Sequence, residues 1–103
     1  MSWDGYKTKR WNLLRAAALR RDKHLSRESL RYGKREPATT VHHVWPAEDY
    51  PEYAWCLWNL ISVTDKQHNS YHDRPTGKLT PAGTAWQRRI SPPPPGGHDE
   101  DVS

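Results

Sequence analysis

The sequence predicts a small single domain of the α+β class, in which an N-terminal helix precedes two strands and a further helix. Three observations predict this class. Residues 9–22 have the apolar spacing of an amphipathic helix. Residues 38–44 and Leu60–Val63 are rich in β-branched side chains, as strands are. A capping residue, Thr64 or Asp65, directly follows the second of these segments and predicts a helix start. With 103 residues, the chain has room for one core near the lower limit of unaided stability.

The first helix has a clear start signal. Thr8 can cap it, because a threonine hydroxyl accepts a hydrogen bond from a free backbone N–H of the first turn. Trp11, Leu14 and Ala18 then fall on one side of the helix, with arginines elsewhere. We expect residues 1–7 to form a flexible leader in front of it.

The segment between the strands and the helix after them are predicted from punctuation by proline and capping residues. Residues 46–51 contain two prolines and should form an irregular loop, followed by a short helical turn around residues 53–57. The helix that begins after Thr64 should carry both His68 and His72 and end at Pro75.

The C-terminal part should hold one more short helix and then a tail. Thr80 followed by Pro81 is typical of a helix start, and the helix should run to about Arg89. Residues 91–103 consist largely of proline, glycine and acidic residues, which cannot bury apolar surface, so we expect a disordered tail. The domain proper should therefore span residues 8–90.

Four histidines have spacings that suit a metal site. His68 and His72 are four residues apart, so on a helix they share one face, with Cβ atoms about 6 Å apart. Two neutral imidazoles at that spacing can bind one divalent metal ion. On a strand, the neighbours His42 and His43 point to opposite faces, so one can face the metal and the other the substrate. Taken singly, each of these histidines is as well explained by an ordinary hydrogen-bonded or surface position.

Positive charge is concentrated in the first third of the chain. Residues 1–36 contain eleven Lys and Arg against four Asp and Glu, whereas residues 37–103 are net acidic. Such a block suits contacts with a phosphate backbone, which give affinity without sequence selectivity. The alternative is a solvated helix face. The candidate DNA-binding residues, two of which follow the basic block, are Arg10, Arg15, Arg20, Arg21, Lys23, Lys66 and Arg74.

The amino-acid composition indicates the cellular compartment and the residues that fill the core. Cys56 is the single cysteine, so no internal disulfide can form, which fits a reducing cytoplasm. No apolar run approaches the roughly 20 residues of a membrane span, so no membrane partner is expected. Phenylalanine is absent, and the expected core-filling aromatic residues are Trp11, Trp45, Trp55 and Trp58.

The ordered set of these histidines with one asparagine resembles the HNH endonuclease family and its ββα-metal motif. The matching segments are V-H-H-V-W-P, which contains His42 and His43, then Asn59-Leu60, and H-N-S-Y-H, from His68 to His72. Upstream, W-x-x-L-R-x-x-x-L-x-R-D looks like the opening helix of small phage-type members. The resemblance covers roughly residues 11–74.

This resemblance implies a role for each residue of the motif. His43 would be the general base that takes a proton from water, and its catalytic partner Asn59 would brace the loop that presents it. His42, His68 and His72 would bind one divalent ion as cofactor. Imidazole ligands favour Zn²⁺, Ni²⁺, Co²⁺ or Mn²⁺ over Mg²⁺ in affinity, whereas turnover is a separate matter, so the cofactor is expected to be Zn, Ni, Mn or Mg.

The sequence departs from many phage-type relatives at their structural zinc. Those relatives hold it with two Cys-x-x-Cys pairs, and the four matching positions here are Ser26, Ser29, Thr64 and Gln67. None of these side chains can replace a thiolate in a closed zinc site. The zinc knuckle is therefore absent, while the catalytic motif remains, as in colicin-type members.

The resemblance implies a metal-dependent endonuclease that nicks or cuts DNA with little sequence preference. Small phage-type members are associated with genome packaging, so phage terminase subunits are an implied partner and the host cytoplasm an implied location. The main alternative is a catalytically weak module that binds DNA or protein and keeps the metal for stability. A secreted toxin domain of the colicin kind is a third reading, but it needs translocation domains.

Overall fold

A computed structural model describes residues 3–93 and confirms the α+β class. Two helices precede a pair of strands, and two more follow it. The elements in chain order are α1 (Lys9–Arg21), α2 (Arg27–Arg31), β1 (Thr40–His43), β2 (Leu60–Val63), α3 (Asp65–Ser70) and α4 (Pro81–Arg89). Short 3-10 helices cover Asp4–Lys7, Pro51–Tyr53 and Leu57–Asn59. None of the helices within this part of the chain is long and apolar enough to cross a bilayer.

The helix starts follow their capping signals. The Thr8 hydroxyl accepts a hydrogen bond from Trp11 N and begins α1 as predicted. Thr64 and Gln67 form a reciprocal capping box at the start of α3, and Thr80 caps α4 at Gly83. The predicted helix from Pro81 to Arg89 is confirmed.

The two strands pair antiparallel and determine where each histidine points. His42 lies opposite Ile61, and His43 lies opposite Leu60. Because side chains alternate across a strand, His43 shares its face with Leu60, whereas His42 shares the other face with Ile61. The two neighbouring histidines therefore serve opposite sides of the sheet, as expected from the sequence.

Each face of the sheet is covered by its own apolar cluster. On one face, Trp11, Ala18 and Leu19 of α1 pack on Val41 and Leu60. On the other, the cluster comprises Val44, Ile61, Val63, Tyr71 and Trp86. Each fully buried valine, leucine or isoleucine side chain in these clusters stabilises the fold by about 1.5–3 kcal/mol. Of the four tryptophans expected in the core, Trp11 is buried and the other three are half-buried, while Trp86 is a core residue that the sequence reading missed.

The segment expected to be a flexible leader differs from that expectation over residues 3–7. Trp3 packs edge-on against Trp11 and Trp55 and belongs to the cluster on α1. Asp4–Lys7 form a 3-10 helix, and the Thr8 hydroxyl donates to Gly5 O at 2.7 Å. Aromatic packing therefore attaches this segment to the domain. Most of the expected tail, residues 94–103, lies outside the described residues.

A polar network occupies the four positions at which relatives carry zinc-binding cysteines. Ser26 Oγ donates to Gln67 Oε1 at 2.5 Å, and Gln67 Nε2 donates to Ser29 Oγ at 2.8 Å. The remaining member, Thr64, donates its backbone N–H to Gln67 Oε1 and accepts from Gln67 N. Ser29 Oγ in turn hydrogen-bonds the carboxylate of Glu36. Hydrogen bonds among these four residues thus join the start of α2 to the start of α3.

Candidate metal centre and active site

Three of the predicted histidines converge on one point. His42 comes from β1, His68 from α3, and His72 from the segment just after that helix. One ring nitrogen from each lies within 4.8 Å of the other two. The ring centroids are 5.1 Å apart for His42 and His68, and 5.5 Å for each of the other two pairs.

The expected helical placement of His72 is wrong. α3 ends at Ser70, and His72 instead forms an isolated antiparallel bridge with Leu79. The Thr80 hydroxyl donates to Ser70 O, and Asp73 N donates to Lys78 O, so the returning chain takes a carbonyl and an N–H that a longer helix would use. His72 therefore reaches the cluster from a turn, whereas the sequence predicted that it lies on α3, one helical turn after His68.

His42 has the environment of a metal ligand. Its side chain is 1% exposed, and its Nε2 is the one buried side-chain nitrogen or oxygen among residues 3–93 that lacks a hydrogen-bond partner. Burial, with His68 and His72 nearby, holds the pKa of His42 well below its usual value. The imidazole is therefore neutral at physiological pH, with an unsatisfied polar atom that costs free energy unless something binds it.

His68 and His72 also have features of metal ligands. Burial and the neighbouring His72 lower the pKa of His68, against a smaller opposing effect of Asp65. His72 Nδ1 lies 3.3 Å from Gly77 O, to which it can donate. Since the carbonyl only accepts, that contact leaves the His72 Nε2 lone pair for a ligand. Three imidazoles that meet at an unsatisfied buried nitrogen fit a divalent ion of the kind that nitrogen ligands bind.

His43 lies on the opposite face of the sheet with both ring nitrogens engaged. Its Nε2 is 3.0 Å from Ala54 O, and its Nδ1 is 3.1 Å from the Tyr6 hydroxyl. Because a carbonyl only accepts, Nε2 carries the proton, Nδ1 keeps its lone pair, and Tyr6 donates to it. Burial lowers the pKa of His43, although the bond to Ala54 opposes this effect. His43 thus has the neutral form and the tautomer of a proton acceptor.

Asn59 braces the loop between the strands. Its side chain is fully buried, with Oδ1 accepting from Trp45 N at 2.7 Å. Its Nδ2 donates to Trp45 O at 2.9 Å and to Tyr53 O at 3.1 Å. These three bonds hold the chain that follows His43 against the chain that precedes β2.

A cavity of about 350 Å³ connects the histidine cluster with His43. Residues from the N-terminal segment and from the loop after β1 complete its wall. Its lining residues are Trp3, Tyr6, His42, His43, Pro46, Ala47, Glu48, His68 and His72. Trp3 and Tyr6 were missed by the sequence reading. The signal that could have found them is a pair of aromatic residues, three positions apart, in a segment that is otherwise polar.

One solved structure shares this arrangement of helices and strands. It is the crystal structure of the HNH endonuclease from the deep-sea thermophilic bacteriophage GVE2 with a manganese ion. The match has a TM-score of 0.61 and 26% sequence identity, and covers 84% of this chain and 82% of the other. The chain has an HNH-type fold. No family model matches the sequence, and no curated protein matches it either.

Within this HNH-type fold, the seven basic residues predicted to contact DNA differ in their availability. Arg21 donates to Asp22 and to the carbonyls of Leu57 and Leu60, and so spends most of its donors on the protein. Arg15 donates to Thr39 O, and the Arg10 guanidinium lies 4.1 Å from the centroid of Trp55. The remaining four are exposed, and their side chains make no hydrogen bond or ion pair with the described part of the chain: Arg20, Lys23, Lys66 and Arg74.

Proposed function

We propose that the protein is a metal-dependent endonuclease that hydrolyses phosphodiester bonds in DNA. The observation that carries the proposal is the unpartnered Nε2 of His42 among His68 and His72, across one cavity from a neutral His43. The HNH-type fold supports it, since the GVE2 protein that shares this fold is an endonuclease solved with manganese.

Each residue can be given a step or a supporting role. His43 Nδ1, with the ring proton fixed on Nε2 by Ala54 O, takes the proton of the attacking water. Asn59 holds the backbone of Trp45, two residues after this base, in place. His42, His68 and His72 would hold the divalent ion, which when bound supplies Lewis-acid stabilisation of charge on the phosphate and the leaving oxygen.

DNA would be bound mainly through its backbone. Arg20, Lys23, Lys66 and Arg74 are exposed and free of protein partners among the described residues, which suits contacts with phosphates. Arg10 keeps its guanidinium accessible over Trp55, while Arg15 and Arg21 retain fewer free donors. Phosphate contacts carry no base information, so the proposal includes low sequence preference.

A supercoiled-plasmid nicking assay tests the proposal. Wild type, His43→Ala and a control, His24→Asn, would be chelated and then supplied with Mg²⁺, Mn²⁺, Ni²⁺ or Zn²⁺. His24 is exposed and has a φ of 58°, a conformation that asparagine tolerates. We expect metal-dependent nicking by wild type and the control, and its loss in His43→Ala despite retained metal binding. DNA and metal binding without cleavage by any ion would instead indicate a binding module.

A second proposal concerns the biological role of the protein. We infer a role in phage genome packaging in the host cytoplasm, with terminase subunits as partners, from the likeness to small phage-type proteins and the bacteriophage origin of the GVE2 structure. Co-expression with the terminase subunits of the same phage, followed by size-exclusion chromatography, tests it. Independent elution of all components would count against that role.

A further inference from the structure

The hydroxyl of Tyr6 occupies the atom through which His43 would act. The distance from the oxygen to Nδ1 is 3.1 Å. Nδ1 of a neutral imidazole has one lone pair in the ring plane, and it cannot accept the Tyr6 proton and a water proton at once. The other ring nitrogen offers no alternative, because Nε2 donates to Ala54 O at 3.0 Å.

Aromatic packing holds the ring of His43 in this arrangement. Trp11 stacks on His43 with centroids 5.0 Å apart and planes inclined by 25°, and Trp3 meets it edge-on at 5.2 Å. A ring turned over by half a turn would keep its plane and the stacking on Trp11, but it would lose the Ala54 bond. Any water that is to be deprotonated must therefore reach Nδ1, where Tyr6 now lies.

Tyr6 itself is placed to leave. Its side chain is 45% exposed although its hydroxyl reaches the cavity wall. It is carried by the short 3-10 helix Asp4–Lys7, whose preceding residue Trp3 provides no side-chain cap. Its ring contacts Trp3 and Trp11 edge-on, so the ring can pivot while the indole packing of α1 remains.

We propose that Tyr6 is a positioning residue that occupies the proton-accepting nitrogen of His43 in the resting site and yields it when a DNA phosphate enters the cavity. This inference rests on the proposed nuclease function. In the resting protein, the hydroxyl donates to Nδ1 of a ring whose proton is held on Nε2 by Ala54 O. On substrate entry, the hydroxyl gives up Nδ1 to the attacking water, and the free energy of the lost bond is part of the barrier.

Removal of the hydroxyl tests the proposal. Tyr6→Phe keeps the ring packing and removes only the competing donor, while Tyr32→Phe removes a hydroxyl from a tyrosine that is 67% exposed and outside the cavity lining. Single-turnover nicking would be measured at saturating protein with the ion that supports turnover. Since one hydrogen bond contributes a modest net free energy, we expect Tyr6→Phe to be about two- to tenfold faster than wild type, and Tyr32→Phe to be unchanged. An unchanged or slower Tyr6→Phe overturns the proposal.

A second readout separates this proposal from the nuclease assignment. The ¹⁵N chemical shift of His43 Nδ1, assigned by comparison with His43→Ala, would be recorded for the full chain in chelator, before and after addition of a 12-base-pair DNA duplex. We expect the shift to differ between wild type and Tyr6→Phe, and the duplex to move the wild-type value toward that of Tyr6→Phe. If no variant nicks plasmid, the nuclease assignment fails, and this shift still decides the Tyr6 contact. Identical shifts in the two proteins, or no response to DNA in wild type, overturn it.

Discussion

Asn59 and Trp45 exchange two hydrogen bonds, each 2.9 Å or shorter, across the loop between the strands. Trp45 N donates to Asn59 Oδ1, and Asn59 Nδ2 donates to Trp45 O. Val44 N also donates to Asn59 O. The asparagine side chain therefore continues the hydrogen-bond pattern of the two strands by one more residue. The chain leaving His43 is fixed by side chain and backbone of the same residue.

Replacement of Asn59 by alanine should destabilise the protein strongly. The change leaves Trp45 N and Trp45 O without partners, whereas Tyr53 O keeps the bond from Cys56 N, for an expected loss of about 2–4 kcal/mol in the free energy of unfolding. Urea denaturation of Asn59→Ala against wild type measures it. Asn69→Ala, at an exposed position of α3, is the control and should change stability little. A loss below that of the control would show that the loop is held without the amide.

The polar network between α2 and α3 should respond to the loss of Gln67. That side chain accepts from Ser26 and Thr64 and donates to Ser29. Gln67→Ala should lower the free energy of unfolding by about 1–3 kcal/mol, because three partners lose their bonds at once. Lys66→Ala, an exposed change on the same helix, is the matched control. Equal melting temperatures for the two variants would contradict a stabilising role.

The same four positions should accept a zinc ion when they carry thiols. The side chains of Ser26, Ser29 and Gln67 already hydrogen-bond one another, so cysteines there and at Thr64 would face a common point. We expect the quadruple cysteine variant to bind one equivalent of zinc more than wild type, as measured by elemental analysis after dialysis. Thiolate coordination should also give the cobalt-loaded variant a sulfur-to-cobalt charge-transfer band that the histidine site of wild type lacks. Equal metal content in both proteins would show that the four positions do not converge.

Local sequence signals predicted α1, both strands, the starts of α3 and α4, and the side of the sheet that each histidine faces, but not α2. Caps at Thr8, Thr64 and Thr80 are decided within four residues, so they can be read from sequence. The end of α3 could not be read, because Thr80 takes the carbonyl of Ser70 from ten residues away and Lys78 O takes the N–H of Asp73. The contact of Tyr6 with His43 spans 37 residues and depends on the packing of Trp3, which no local pattern contains.

Metal binding should stabilise the folded protein through the three histidines. A ligand that binds only the folded state adds about 2.7 kcal/mol at one hundred times its dissociation constant. We therefore expect Zn²⁺ to raise the melting temperature of wild type and of His24→Asn, and not that of His68→Ala. Differential scanning fluorimetry with and without chelator measures this shift. An equal rise in His68→Ala would place the bound metal elsewhere.

Glu28 should make part of the stability depend on acid pH. Its Oε1 accepts from the Tyr71 hydroxyl and Trp86 Nε1, both at 2.7 Å, and Arg31 pairs with Oε2 at 3.0 Å. Burial opposes the charged form, but these donors outweigh it and lower the pKa of Glu28 from its usual value of 4.5. A carboxyl group whose folded pKa is depressed stabilises the protein above its unfolded pKa, and that contribution is lost as the pH falls through the folded value.

Wild type should accordingly lose more stability than Glu28→Gln between about pH 5 and pH 3, because glutamine has no charge to lose there. At pH 7, Glu28→Gln should already be the less stable protein, since Trp86 and Arg31 lose a charged acceptor. Urea midpoints across this pH range measure the effect, with Glu52→Gln, an exposed change in the loop, as control. Parallel pH profiles for wild type and Glu28→Gln would mean that the three donors do not hold this carboxylate in solution.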